Sequence, residues 1–199
     1  KKYKKNKKLK IISSSWSNNT LKGFDVYEFL DKNLNFKYFE FTFVGNSPYK
    51  FKNANHIPAI DSFKLSDCLR NHDVFIQASH LEACSNSLIE GMNCGLVPLA
   101  RNNSSNPEVV KNKLFLFEDT KDIIEKLNII RSNLDTLKNK VLPPKMNIVY
   151  QSYLKFINTV NKRDQKSKPN LLDVSFIIMF YSIYKLFFKF QQYAYFLKR

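Results

Sequence analysis

Ser79-His-Leu-Glu-Ala-Cys-Ser-Asn-Ser-Leu-Ile-Glu-Gly-Met-Asn-Cys-Gly-Leu-Val-Pro98 decides how the rest of the chain is read. The run before it, Asp73-Val-Phe-Ile-Gln-Ala78, is apolar and reads as a strand. Ser85, Asn86 and Ser87 are candidate N-caps for a helix from about Leu88 to Asn93. Gly95 stops that helix, and Leu96-Val-Pro-Leu-Ala100 reads as the next buried strand. Strand, polar loop, helix and strand make the repeating unit of a parallel sheet. Two carboxylates sit in it, Glu82 in the loop and Glu90 in the helix, with seven residues between them. At the carboxyl edge of such a sheet a helix N-terminus favours phosphate. Glu82 would then stand at the rim of the crevice. Glu90, a turn into the helix, would be placed to accept hydrogen bonds from the vicinal hydroxyls of a ribose. The plain alternative makes both of them solvated surface acids.

Working outward, the same alternation recurs. Leu9 to Ser15 reads as a strand, Trp16 to Gly23 as a loop, and Phe24 to Asn33 as a helix packing through Phe24, Tyr27, Phe29 and Leu30. Tyr38 to Val44 is a strand closing on the turn Gly45-Asn-Ser-Pro48. Ala54 to Pro58 is a short strand, and Phe63 to Arg70 a short helix. After Pro98 come a polar loop with a short helix near Pro107, a strand over Leu114 to Phe117, and a helix over Thr120 to Asn139. Pro143-Pro144 breaks the chain, and a helix resumes from Met146 to Val160. The expectation is an α/β, Rossmann-like, doubly wound and mostly parallel sheet with helices on both faces.

Four segments are expected: a basic linker over 1–8, the α/β domain over 9–160, a polar linker over 161–170, and an amphipathic, aromatic and basic helical tail over 171–199. The longest uncharged run of the tail, Val174 to Tyr184, is shorter than the ~20 residues a bilayer span needs. The tail either packs on another domain or chain, or lies in a membrane interface with its lysines snorkelling. The chain opens Lys1-Lys2-Tyr3 without a methionine and is expected to be part of a longer protein.

The chain has 199 residues and a net charge of +15. Only five of its cations are Arg, the residue of bidentate base and phosphate recognition, so nucleic-acid binding is not expected. A solvated lysine surface is the first explanation of the charge, and attraction to an anionic membrane surface the second. Cys68, Cys84 and Cys94 are scattered and odd in number, which fits a reducing, cytoplasmic compartment, with a peripheral place on the inner face of the membrane as a variant. His56, His72 and His80 form no ligand pattern, and no Asp-x-Asp occurs, so no metal is expected.

The stretch Ser79-x-x-Glu82-x7-Glu90-Gly-Met-x-Cys-Gly-x-x-Pro98 resembles the E-x7-E segment of the retaining GT-B glycosyltransferases usually called family 4. Glu82, Glu90, Met92, Cys94 and Gly95 match that segment. Lys22-Gly23, one βα unit upstream, resembles the Lys-Gly of the family's diphosphate loop. There are departures. Ala83, Cys84 and Ser85 replace a Gly-rich run, Gly91 replaces an Ala, and Ser15-Trp16-Ser17 stands where the family has Arg. A glycine inside a helix costs ~1 kcal/mol against Ala, and close packing is its expected reason.

The resemblance covers about residues 9 to 160 and implies the C-terminal, donor-binding half of such an enzyme. It implies transfer of a sugar from a UDP- or GDP-sugar with retained configuration and without a metal, in surface polysaccharide or glycoconjugate synthesis. By the same resemblance Glu82 contacts the donor sugar and Glu90 the ribose. Lys22, Gly23 and the helix start at Ser85, Asn86 and Ser87 meet the diphosphate. Ile57 and Pro58 line the base pocket, or are ordinary core and turn. Outside the resemblance, Asn18 and Asn19 are read as neutral donors in place of the missing Arg. The acceptor half is expected from an N-terminal domain or partner chain not in this sequence. The alternative is a non-catalytic module that binds a membrane surface or a protein.

Overall fold

The computed structural model describes residues 7–164. The expected parts of the basic linker at 1–6, of the polar linker at 165–170, and the whole of the tail at 171–199 lie outside them. The contacts of the backbone divide the chain into two compact units, one ending at Pro144 and the other beginning at Lys145.

In the first unit the chain runs β1 (Leu9–Ser15), α1 (Phe24–Asn33), β2 (Phe39–Gly45), β3 (Asn55–Ile57), α2 (Ser62–Arg70), β4 (Val74–Gln77), α3 (Asn86–Asn93), β5 (Val97–Arg101), α4 (Asn106–Val110), β6 (Leu116–Phe117) and α5 (Thr120–Lys138). Single 3-10 turns fill Thr20–Lys22 and Lys113–Phe115. Every strand pairing is parallel, and the order across the sheet is β3-β2-β1-β4-β5-β6. The expected sheet was mostly parallel; this one is wholly so. Strand order grows outward in both directions from the central pair β1 and β4. With right-handed crossovers, that puts α1 and α3 on opposite faces.

The strands are apolar because both faces are covered. Ile11, Ile12, Phe41, Phe43, Phe75 and Ile76 are all but inaccessible to solvent. On one side Tyr27 and Phe24 of α1 stack on Phe43, which in turn meets Phe51 of the loop after β2. α5 contributes Ile123, Leu127, Ile130, Leu134 and Leu137 at helical spacing. Its backbone departs from helical geometry at Asn133, inside the one continuous helix that the apolar spacing predicts. Asp73 accepts hydrogen bonds from the Lys10 backbone at 3.1 Å and from Lys138 Nζ at 3.1 Å, so the opposite, amino edge of the sheet is closed by charge pairing.

β1 and β4 pair only through Ile11 with Val74 and Ile12 with Phe75. Beyond that point the two strands part. The buried Ser13 hydroxyl bridges the gap by donating to the Ile76 carbonyl at 2.9 Å. A crevice therefore opens at the carboxyl ends of the two central strands, where the direction of winding reverses and where open α/β sheets bind ligands.

In the second unit, α6 (Met146–Asp164) runs four residues beyond the expected end at Val160. No helix among the described residues is long and apolar enough to cross a membrane.

Candidate functional site

The crevice holds a cavity of about 240 Å³. Ser14 and Ser15 at the end of β1 and Gln77 at the end of β4 line it, with Trp16, Ser17, Lys22, Ser79 and Glu82 from the two following loops. Sequence reading places Lys22 and Glu82 in separate βα units, 60 residues apart; the fold brings Lys22 Nζ to 2.9 Å from Glu82 Oε2.

Each member of this pair is set by local structure. Lys22 ends a 3-10 turn whose N-cap is Asn19, the side chain of which accepts from the Leu21 backbone at 3.0 Å. Asn19 is thus engaged in building the turn, and neither it nor Asn18 lines the cavity. Gly23 follows with φ +87°, a left-handed conformation, and begins α1. A Cβ there would stand 2.3 Å from the carbonyl oxygen of Ala78, so only glycine lets this loop close on the end of β4. Glu82 lies in the loop between β4 and α3, and its side chain is largely enclosed.

Ser85 is the N-cap of α3, which begins at Asn86, two residues earlier than the expected Leu88. The Ser85 hydroxyl is buried, accepts from the Leu88 backbone at 3.2 Å, and receives a short hydrogen bond from the Gln77 amide. Asn86 and Ser87 occupy the first turn of α3, with Ser87 hydroxyl 3.1 Å from that of Ser85. Glu90 follows one turn later. Glu90 is exposed, yet desolvation by its surroundings pushes its carboxyl above the ordinary range, and that carboxyl has no hydrogen-bond partner among the described residues. Ile57 ends β3 at the margin of the sheet, and Pro58 follows it, exposed. Glu90, Asn86, Ser87, Ile57 and Pro58 do not line the cavity that holds Lys22 and Glu82.

Ser14 and Gln77 are lining residues that sequence reading did not single out, and Ser15, Trp16 and Ser17 entered it only as standing where the resemblance expects Arg. Trp16 carried a signal: it is the single tryptophan of the chain, in a polar loop, and it is 52% exposed. Gln77 carried none, since it reads as one more residue of an apolar strand. Among the described residues, no three His, Cys, Asp or Glu side chains converge as a metal site would require.

Comparison with known proteins agrees with this architecture. Residues 40–139 match the family model described as glycosyl transferases group 1. No curated protein matches the sequence. Among solved structures, the catalytic domain of cholesterol-alpha-glucosyltransferase from Helicobacter pylori is similar, with TM-score 0.54 and 18% identity over 67% of this chain and 96% of that one. The C-terminal domain of a glycosyl transferase group 1 family protein from Francisella tularensis is similar with TM-score 0.56 and 19% identity, over 73% of this chain and 86% of that one. Starch synthase IV from Arabidopsis thaliana, bound to ADP and acarbose, is similar with TM-score 0.63 and 15% identity over 80% of this chain. The chain spans 39% of that synthase's catalytic domain, and 46% of a similar sucrose-phosphate synthase from Thermosynechococcus elongatus.

Proposed function

The chain belongs to the group 1 glycosyl transferases, and from that premise we propose that it holds a nucleoside diphosphate sugar in the crevice between β1 and β4 for transfer of the sugar to an acceptor. The observation that carries this reading is the Lys22–Glu82 pair at 2.9 Å, one member from each of the two βα units that flank the crevice. An ammonium has three donor hydrogens. Lys22 therefore keeps Glu82 and still donates to a phosphate oxygen. The N–H groups of Asn86 and Ser87, ahead of the Leu88 N–H that Ser85 already caps, take further phosphate charge. Charge that grows on the leaving diphosphate meets groups already fixed in place.

Glu82 is then the carboxylate facing the sugar, and Glu90, whose carboxyl has no hydrogen-bond partner among the described residues, takes the ribose hydroxyls. The reading needs no metal, because cation and N–H groups meet the diphosphate directly. It assigns acceptor recognition to a further domain or a partner chain. A similar structure, the starch synthase, was determined with ADP bound, so nucleoside diphosphates are the first probes.

The test is calorimetric titration of the chain with UDP, GDP and ADP and their sugar conjugates, in chelator. Saturable binding of one nucleotide is expected. Lys22→Ala and Glu90→Ala should each weaken it roughly ten- to a hundredfold, since a hydrogen bond to a charged group is worth roughly 1.5–3 kcal/mol. A folded sample that binds none of them would overturn the reading. It would instead favour a non-catalytic module. The observation behind that second reading is that Ser15, Trp16 and Ser17 line the cavity where the family resemblance expects an arginine, leaving Lys22 as the cation among the lining residues.

A further inference from the structure

The loop that presents Glu82 is gripped from outside by the loop that follows β5. Main-chain pairing of β4 with β5 ends at Gln77 and Ala100. Past that point side chains continue it. Arg101 Nε donates to the Ala78 carbonyl at 2.9 Å, Asn103 Nδ2 to the His80 carbonyl at 2.6 Å, and Ser105 Oγ to the Glu82 carbonyl at 2.9 Å. The Ser105 backbone N–H adds a longer bond to the same Glu82 oxygen at 3.3 Å. Donors at every second position thus meet carbonyls at every second position, the period of a strand.

The Arg101 end of this ladder is anchored, and so is the segment it holds. The Arg101 guanidinium lies over the Phe117 ring and reaches Asp25 of α1 at 2.8 Å. The side-chain amide of Asn106, itself buried, donates to the Arg101 carbonyl at 3.0 Å. On the other side, the His80 N–H donates to the carbonyl of Leu21, the residue before Lys22, at 2.8 Å. The ladder therefore ties the Glu82 segment to the Lys22 segment. The N-terminus of α3 is held separately, through Ser85 and Gln77.

We propose that Asn103 and Ser105 are positioning residues that fix the Glu82 carboxylate against Lys22, and that they thereby govern how the sugar of the donor is held, as distinct from its nucleotide. This rests on the reading of the crevice as a donor site. Neither side chain need touch the donor: each spends its donor hydrogen on the backbone that carries Glu82. Loss of a rung frees the loop over 79–84, while Ser85 and α3 keep their own anchor.

The test uses the full chain and three variants. Asn103→Asp keeps the shape and loses the donor; Ser105→Ala loses the hydroxyl; Ser105→Thr keeps it. Two quantities are read. One is the order parameter of the backbone amides over 79–84 by 15N relaxation. The other is the ratio of Kd for the nucleoside diphosphate to Kd for its sugar conjugate. Asn103→Asp and Ser105→Ala should loosen the loop and cut the ratio roughly tenfold, the scale of one well-placed hydrogen bond, with nucleoside diphosphate affinity held within about twofold. Ser105→Thr should restore both. An unchanged loop in the first two variants, or a loosened loop with an unchanged ratio, would overturn the proposal. A general loss of structure would lower both affinities together and leave the ratio alone, which also counts against it. If the wild-type chain binds no nucleoside diphosphate, the donor-site reading fails by itself. The loop measurement then still decides whether the ladder fixes Glu82.

Discussion

Gly91 shows what a single atom does in this fold. The family resemblance puts alanine there, and alanine would favour the helix by ~1 kcal/mol. Yet a Cβ on Gly91 would stand 2.7 Å from Phe75 Cγ and 2.8 Å from Phe75 Cβ, with the ring enclosed on the central strand β4. The ring has taken the volume of the missing methyl. Neither contact is with the far end of a flexible side chain, so relief requires moving α3 or β4. Overpacking of this kind costs ~1–3 kcal/mol, which exceeds the gain. Gly91→Ala should therefore destabilise the chain by up to roughly 2 kcal/mol in denaturant unfolding, and a rise in stability would show that α3 is free to shift. Close packing as the reason for Gly91 was legible in the sequence; its partner was not, because the 15 residues between Phe75 and Gly91 say nothing about which strand face turns toward the helix. Lys22 and Glu82 were named through the family resemblance, and the topology supplies the reason that two such residues can meet. Each sits in a short loop between a strand and a helix, and parallel strands deliver all such loops to one edge. Gln77 and its bond to Ser85 were invisible, since an amide at the end of a buried strand is read from sequence only as an interruption of apolar character.

Elements were found more readily than their ends. α1 and β1 match their expected limits, whereas α3 begins two residues early. Three successive polar residues could cap it, and the choice falls to Ser85 because Gln77 meets that hydroxyl. The strand expected over Leu114 to Phe117 loses its first half to a 3-10 turn, closed by the Asn112 side chain accepting from the Leu114 backbone at 3.0 Å. Local side-chain bonds of this kind compete with sheet pairing and win at a margin where only β5 offers a partner. The loop between β2 and β3 shows the strongest case. Asp31, in the last turn of α1 and fully buried, accepts from the backbones of Lys52 at 2.9 Å, Asn53 at 2.8 Å and Ala54 at 2.7 Å, and from the Tyr49 hydroxyl at 3.1 Å. Burial alone would raise its pKa. The N–H groups of Lys52, Ala54 and Asn53, with the hydroxyl, outweigh burial and hold the carboxyl below its ordinary range. Its contribution is therefore complete above the unfolded carboxyl pKa of about 3.9 and is lost as pH falls from there through the lowered folded value. Asp31→Asn should cost roughly 1.5–3 kcal/mol at neutral pH. That cost should shrink below about pH 4; a cost constant into acid would show that the charge is not its cause.

At the scale of the whole molecule the governing quantity is the charge of +15. The ion pairs that tie elements together use few of the cations: Lys22 with Glu82, Arg101 with Asp25, and Lys138 with Asp73 among the described residues. Lys32, Lys64, Arg70 and Lys126 pair only with acids three or four residues away. The large positive excess remains, and net charge of one sign opposes the compact state. Raising ionic strength shortens the screening length from about 30 Å at 0.01 M to about 8 Å at 0.15 M. Tm should therefore rise with salt over that range, measured by calorimetry. A fall would mean that the three bridging pairs outweigh the general repulsion.

The central place of β1 in a wholly parallel sheet also has a consequence in time. One edge of β1 is covered as soon as β2 folds, but the other waits for β4, which begins 59 residues after β1 ends. At about 5–20 residues per second of synthesis, that wait is roughly 3–12 s. For those seconds the strand Leu9–Ser15 presents an apolar, unpaired edge while the chain is still on the ribosome. A newly made chain is thus most open to association with its neighbours before its own fourth strand exists, and a chaperone that binds extended apolar segments would act on it in that interval.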